Sequence, residues 1–294
     1  MKYAAIDIGS NAVRLLIADI NSNAGQTGFK KTILLRVPVR LGDDAFLDKK
    51  ISERKINDLT KTIIAFKHLL DVYKVEEYMA CATSALREAE NGQEIVKSIK
   101  KQTGISIEII EGTREANIIY STHIEQTLDI KLSYLYIDVG GGSTEVSVFS
   151  KNKMIASNSF NIGTIRMLDN KDLDADWDAL KFFVKENTKN LKPVIGIGTG
   201  GNINKLFRLS EEKEGTPLSF EKIKKLYFYL NSYSLKDRIQ ILGLNQDRAD
   251  VIIPATEIYM AIMKWGYIKE LIVPKVGMVD GIIYYLIEKN KVKI

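Results

Sequence analysis

The chain has 294 residues, of which 45% are apolar and 27% charged. That balance excludes a disordered chain and supplies enough hydrophobic material for two domains. Net charge is +5, with lysine pairs such as Lys30-Lys31 and Lys224-Lys225 scattered along it; this would favour polyanionic substrates and is equally what solvated helix faces look like, and it lacks the dense basic, aromatic-interleaved stripe of a nucleic-acid binder.

Met1-Lys2 runs straight into a strand-like segment interrupted by Asp7, without the apolar core of a signal peptide. No stretch approaches the roughly 18 apolar residues of a membrane span. The lone Cys81 lies in the apolar run Tyr78-Met79-Ala80-Cys81-Ala82, which rules out an internal disulfide and suits a buried thiol in a reducing compartment. A cytoplasmic protein with no membrane partner is expected.

In chain order, Tyr3 to Asp7, a turn at Gly9-Ser10-Asn11, Val13 to Ile20 and Thr32 to Val39 predict three strands, the first two a hairpin. From Ser52, a plausible N-cap, residues Ile56, Leu59, Ile63, Phe66, Leu70 and Tyr73 recur at spacings of three and four and predict a helix. A strand over Met79 to Thr83, a helix from about Gln93 closed by Gly104, a strand over Ile105 to Ile110 and a helix from about Thr113 follow. The second half restarts with three strands: Leu132 to Asp138, Glu145 to Phe149 and Met154 to Phe160. A helix from about Asp174 to Asn190, a strand over Val194 to Ile197 and further helices complete it.

Ala5-Ile6-Asp7-Ile8-Gly9-Ser10-Asn11 matches Tyr136-Ile137-Asp138-Val139-Gly140-Gly141-Gly142, 131 positions later. Each is an apolar strand, an aspartate and a small-residue turn into a second strand. A duplicated α/β fold follows, with lobes at 1–122 and 123–294, both turns facing one cleft, and room for the last helix to pack back on the first lobe. Small residues let backbone N–H groups approach an anion, and the aspartate before each turn can hold a metal or its bound water. Tight hairpins use glycine for steric reasons too; the signal lies in the matched pair.

These residues carry a resemblance. The stretch Ala5 to Leu15 with Asp138 to Glu145 resembles the two phosphate motifs of the actin, sugar kinase and Hsp70 superfamily. More narrowly, the chain looks like the exopolyphosphatase and guanosine pentaphosphate phosphatase family in its short two-domain form. That match rests on Asp7-Ile8-Gly9-Ser10-Asn11 with Arg14-Leu15, Ala82-Thr83-Ser84-Ala85-Leu86-Arg87 with Asn91, and Arg114-Glu115-Ala116. It continues through Asp138-Val139-Gly140-Gly141-Gly142-Ser143-Thr144-Glu145, Gly163 with Arg166, Gly198-Thr199-Gly200-Gly201, and Arg248-Ala249-Asp250.

The resemblance implies an α/β fold of two ribonuclease H-like (actin-like ATPase) domains related by duplication, with the active site in the interdomain cleft. It implies an exopolyphosphatase that releases orthophosphate from inorganic polyphosphate with Mg²⁺. Glu115 would activate the attacking water, with Asp138 as its catalytic companion. Asp138, Glu145 and Asp7 would serve the metal. Gly9, Ser10, Asn11, Arg14, Arg87, Gly140, Gly141, Gly142, Ser143 and Thr144 would bind substrate phosphates. Glu111 reads as a surface residue, and neither His68 nor His123 belongs to a metal-ligand cluster.

Three departures from the family pattern stand out. Ala12 replaces a hydroxyl residue, Asn202 replaces the threonine after the Gly-Thr-Gly-Gly turn, and Gly277-Met278-Val279-Asp280-Gly281 lacks the arginine of the usual Leu-Arg-Glu core. Without a further helical domain, less grip on very long chains is expected unless a homodimer lengthens the groove. Guanosine pentaphosphate hydrolysis is the nearest competing activity. An ATP-dependent small-molecule kinase or a catalytically silent sensor of phosphate chains are the alternatives from other classes.

Overall fold

The structure is a computed structural model that describes residues 1–23, 26–122, 129–191 and 193–291. The chain divides into two compact units. One comprises Met1–Thr122 with Met278–Ile294, the other His123–Gly277.

The first unit opens with β1 (Lys2–Ile8), β2 (Val13–Asn23) and β3 (Gln26–Val37), then α1 (Leu41–Leu47), α2 (Glu53–Val72) and β4 (Glu77–Ala82). It continues with α3 (Ser84–Glu88), α4 (Gly92–Thr103), β5 (Ile107–Ile109) and α5 (Gly112–Tyr120). Its sheet order is β3-β2-β1-β4-β5; β1 to β3 are mutually antiparallel, while β4 and β5 run parallel to β1.

The second unit repeats the plan. Strands β6 (Ser133–Val139), β7 (Thr144–Ser150) and β8 (Lys153–Phe160) lead to α6 (Thr164–Leu168), α7 (Asp174–Thr188), β9 (Val194–Thr199) and α8 (Gly200–Leu209). Then come β10 (Leu218–Ser219), α9 (Phe220–Asn231), α10 (Leu235–Gln240), α11 (Gln246–Ala249), α12 (Ile252–Trp265) and β11 (Glu270–Ile272). Its sheet order, β8-β7-β6-β9-β11 with β10 added at the edge, has the same pattern of directions. Two α/β units of ribonuclease H-like topology thus arise from one duplicated plan.

The last helix, α13 (Met278–Lys291), belongs to the first unit. Its Met278, Val279, Ile282, Ile283, Leu286 and Ile287 pack with Tyr3 and Ala5 of β1, Leu16 and Ala18 of β2, Cys81, and Ile118 and Ile119 of α5. The alternation of strand side chains places Tyr3, Ala5 and Asp7 on this one face of β1. At Gly281 the helix crosses α5 so closely that a Cβ would overlap the Ile118 carbonyl oxygen. Lys31 on β3 pairs at 2.6 Å with the buried Asp280.

In the second unit Leu135, Ile137 and Val139 of β6 point into a core with Val146, Val148, Ile203, Leu206, Ile258, Tyr259 and Ile262. Asp138 therefore projects from the opposite face of the same strand. Among the described residues, no helix is long and apolar enough to cross a membrane.

Candidate active site

Each unit closes its first hairpin with the same bond. The Gly9 N–H donates to the Ala12 carbonyl at 3.1 Å, and the Gly140 N–H to the Ser143 carbonyl at 2.9 Å. The offset between these bonds is the offset between the sequence repeats.

The second turn is held from one side. The Gly140 carbonyl accepts from the Thr164 N–H at 3.1 Å, the Gly141 carbonyl from the Ile165 N–H at 2.8 Å, and the Gly142 carbonyl from Arg166 Nε at 2.5 Å. A trans peptide points its N–H opposite its C=O. With three successive carbonyls directed at α6, the N–H groups of Gly141, Gly142 and Ser143 are directed the other way, as an anion-binding concavity requires. Gly163 permits this approach, since a Cβ there would overlap the Gly141 and Gly142 backbone. Arg166 is buried and acts on the turn from behind.

The first turn is built alike, with α1 in the place of α6. The Ser10 carbonyl accepts from the Gly42 N–H at 2.8 Å and the Asn11 carbonyl from the Arg40 N–H at 3.1 Å, so the N–H groups of Asn11 and Ala12 face away from α1. Arg40 adopts a left-handed conformation, φ 55°, and is braced by the buried Lys55. That ammonium contacts the Arg40 carbonyl and lies 3.2 Å from Asp43 and 3.0 Å from Asp44.

Several side chains expected at phosphates have partners within their own unit. The Ser10 and Ser84 hydroxyls share a hydrogen bond at 2.8 Å. Thr144, fully buried, donates its hydroxyl to the Ile162 carbonyl at 2.6 Å. Arg87 donates Nη1 to the Ile110 carbonyl at 2.6 Å, with the exposed Glu111 4.0 Å from its Nε. Arg14 pairs with Asp7 at 2.5 Å. Asn91, part of the same motif set, is a clamp: its amide bonds both the N–H and the C=O of Ile51.

Of the carboxylates, Asp7 is buried beside Arg14. Glu115 lies in the first turn of α5, and its neighbour Arg114 is occupied by Glu108 at 2.5 Å and 3.0 Å. Asp7 and Glu115 both act on Cys81, whose thiol is pushed up to about 12, chiefly by burial and then by Asp7 and Glu108, with Glu115 adding to it. In the second unit Asp138 and Glu145 sit opposite each other on β6 and β7. Glu145 is buried and accepts from Ser159 Oγ at 2.7 Å. Asp138 approaches Gly200 so closely that a Cβ there would overlap its carboxylate. Behind them, burial and the charge of Asp138 raise the pKa of the fully buried Tyr259 well above the ordinary phenol value, and its hydroxyl lies 3.1 Å from the Thr199 carbonyl.

The oxygen set suits a hard divalent cation. Asp138 and Glu145 are joined by Thr199, in register with Asp138 on β9, whose buried hydroxyl has no hydrogen-bond partner among the described residues. Among the described residues no three His, Cys, Asp or Glu side chains converge. Mg²⁺ does not need three, because it keeps several waters and takes one or two carboxylates together with substrate phosphates. His68 is exposed on α2; His123 lies outside the described residues.

The sequence motifs included Arg166, Thr199, Asn202 and Arg248 but gave none of them a role. Arg166 and Asn202 each donate to a backbone carbonyl and Arg248 donates to Asn202, and Thr199 lies in register with Asp138; residue type alone reveals neither.

The sequence profile of the Ppx/GppA phosphatase family matches residues 17–290. The chain is 30% identical over 289 residues to a bifunctional 3-dehydroquinate synthase/phosphatase of Fusobacterium nucleatum, covering 89% of this chain and 43% of that protein. It is 26% identical over 301 residues to a guanosine-5'-triphosphate,3'-diphosphate pyrophosphatase of Aeromonas salmonicida, covering 98% of this chain and 60% of that one. The crystal structure of an exopolyphosphatase from Cytophaga hutchinsonii superposes with a TM-score of 0.84 at 25% identity, covering 98% of each chain.

Proposed function

The chain belongs to the Ppx/GppA phosphatase family, and from that premise we propose that it is a Mg²⁺-dependent exopolyphosphatase that removes terminal phosphates from inorganic polyphosphate. The observation that carries this reading is the outward row of Gly141, Gly142 and Ser143 N–H groups beside Asp138 and Glu145, with its counterpart at Asn11 and Ala12.

Those N–H groups bind phosphoryl oxygens and stabilise the charge that grows on them during transfer. Asp138 and Glu145 would hold the metal with Thr199 in support, and the cation, when bound, would neutralise phosphate charge. Glu115 orients the attacking water and takes its proton. Asp7 orders Arg14. A reducing cytoplasm suits the buried Cys81 thiol, and a homodimer is the assembly that would lengthen a phosphate-binding groove.

The test is phosphate release, with Mg²⁺ or EDTA, from polyphosphates of several lengths, guanosine pentaphosphate and ATP, for wild type beside Glu115→Gln and Asp138→Asn. Metal-dependent release from polyphosphate that both substitutions abolish is expected. Preferential release from guanosine pentaphosphate would move the assignment to that activity. Release unaffected by Glu115→Gln would remove Glu115 from its role.

A further inference from the structure

We propose that Asn202 is a positioning residue that couples Arg248 to the entry of the second phosphate turn. Arg248 on α11 donates Nη1 to Asn202 Oδ1 at 2.7 Å. Asn202, buried in α8, donates Nδ2 to the Val139 carbonyl at 3.0 Å. The amide orientation is fixed by its partners, because a guanidinium can only donate and a carbonyl can only accept.

The Val139 carbonyl belongs to the same peptide plane as the Gly140 N–H, and that N–H donates to Ser143 at 2.9 Å. Both ends of the plane are therefore pinned, one by the relay and one by the turn. The plane lies between Asp138, whose carboxylate is proposed to hold the metal, and the three N–H groups proposed to meet phosphate. A tilt here re-aims both. This position departs from the threonine usual in similar sequences, whose single hydroxyl would have to accept from Arg248 and donate to Val139 from a shorter side chain. Two-ended bridging is what the amide supplies.

The kinetic arm rests on the phosphohydrolase reading, whereas the exchange arm does not. Asn202→Asp keeps the acceptor for Arg248 and removes the donor to Val139. Hydrogen exchange of the Gly140 amide, followed by NMR, is expected to speed up about tenfold, with the amide of Ala5 in the other unit unchanged. kcat is expected to fall about tenfold with KM changed less than threefold. Arg248→Gln is expected to do the same, and the double variant to be no worse than either single one.

Unchanged Gly140 exchange in N202D overturns the proposal whatever the kinetics. Additive losses in the double variant would also overturn it, because Arg248 would then act independently of Asn202. If N202D does not fold, Asn202→Leu, which keeps the side-chain size and removes both ends of the bridge, is measured in its place, with the same exchange outcomes. Absence of phosphate release by the wild type would count against the proposed function and leave the exchange result to decide the relay.

Discussion

Arg14 and Asp7 face each other across β2 and β1, with Nη1 of the arginine 2.5 Å from Oδ2 of the aspartate. Asp7 is almost wholly buried, while Arg14 keeps part of its side chain in solvent. Arg14→Met therefore leaves a buried carboxylate without its counter-charge and is expected to cost about 3 kcal/mol. Adding Asp7→Asn should recover most of that loss, because a neutral amide is far cheaper to bury. Urea unfolding of the single and double variants measures both.

The thiol of Cys81 yields a pH prediction. Its pKa rises from 9.0 to about 12 on folding, mainly through burial, so the unfolded chain loses this proton first. Stability from this source is intact below pH 9 and falls as pH rises from 9 toward 12. Between pH 8 and pH 10 the wild type should lose about 1.4 kcal/mol more than Cys81→Ala, as read from denaturant titrations at each pH. In the native protein the same thiol should resist alkylation at pH 8.

The buried Arg166 donates Nε to the Gly142 carbonyl. Arg166→Met keeps length and apolar volume but releases that carbonyl, and with it the direction of the Ser143 N–H. KM for polyphosphate is expected to rise about tenfold. A smaller change in kcat distinguishes this far end of the turn from the entry next to Asp138.

Gly281→Ala inserts a methyl group where α13 meets the Ile118 carbonyl. Backbone cannot yield as a side-chain tip can, so a loss of about 2 kcal/mol is expected. Thermal unfolding would show it, and a variant as stable as wild type would mean that the two helices can separate there without penalty.

Much of this was legible in the sequence. The repeat from Asp7 to Asn11 and Asp138 to Gly142 located both hairpins, and the apolar spacing over Leu59, Ile63, Phe66 and Leu70 located α2. Ser52 stands at its N-cap, yet its side chain makes no capping bond; its N–H goes instead to Asp44 at 2.9 Å. The short helices α1, α3 and α6 escaped because five to seven residues carry too little periodicity. They are held by tertiary bonds to the turns, as Gly42 to Ser10 and Thr164 to Gly140 illustrate. Buried Lys55 was hidden for a similar reason: a lysine in an amphipathic helix normally marks the solvent face, and its burial is explained by Asp43, Asp44 and the Arg40 carbonyl.

The discontinuity of the first unit has a consequence for biosynthesis. Asn290 donates to the Tyr3 hydroxyl at 2.8 Å, joining the first strand to nearly the last helical turn. A ribosome delivers residues 123–277 before it delivers α13. The second unit can therefore complete its core while Tyr3, Ala5, Leu16 and Ala18 still await their cover. These strands are made before the second unit and finished after it, and in that interval their apolar face is open to chaperones and to neighbouring nascent chains.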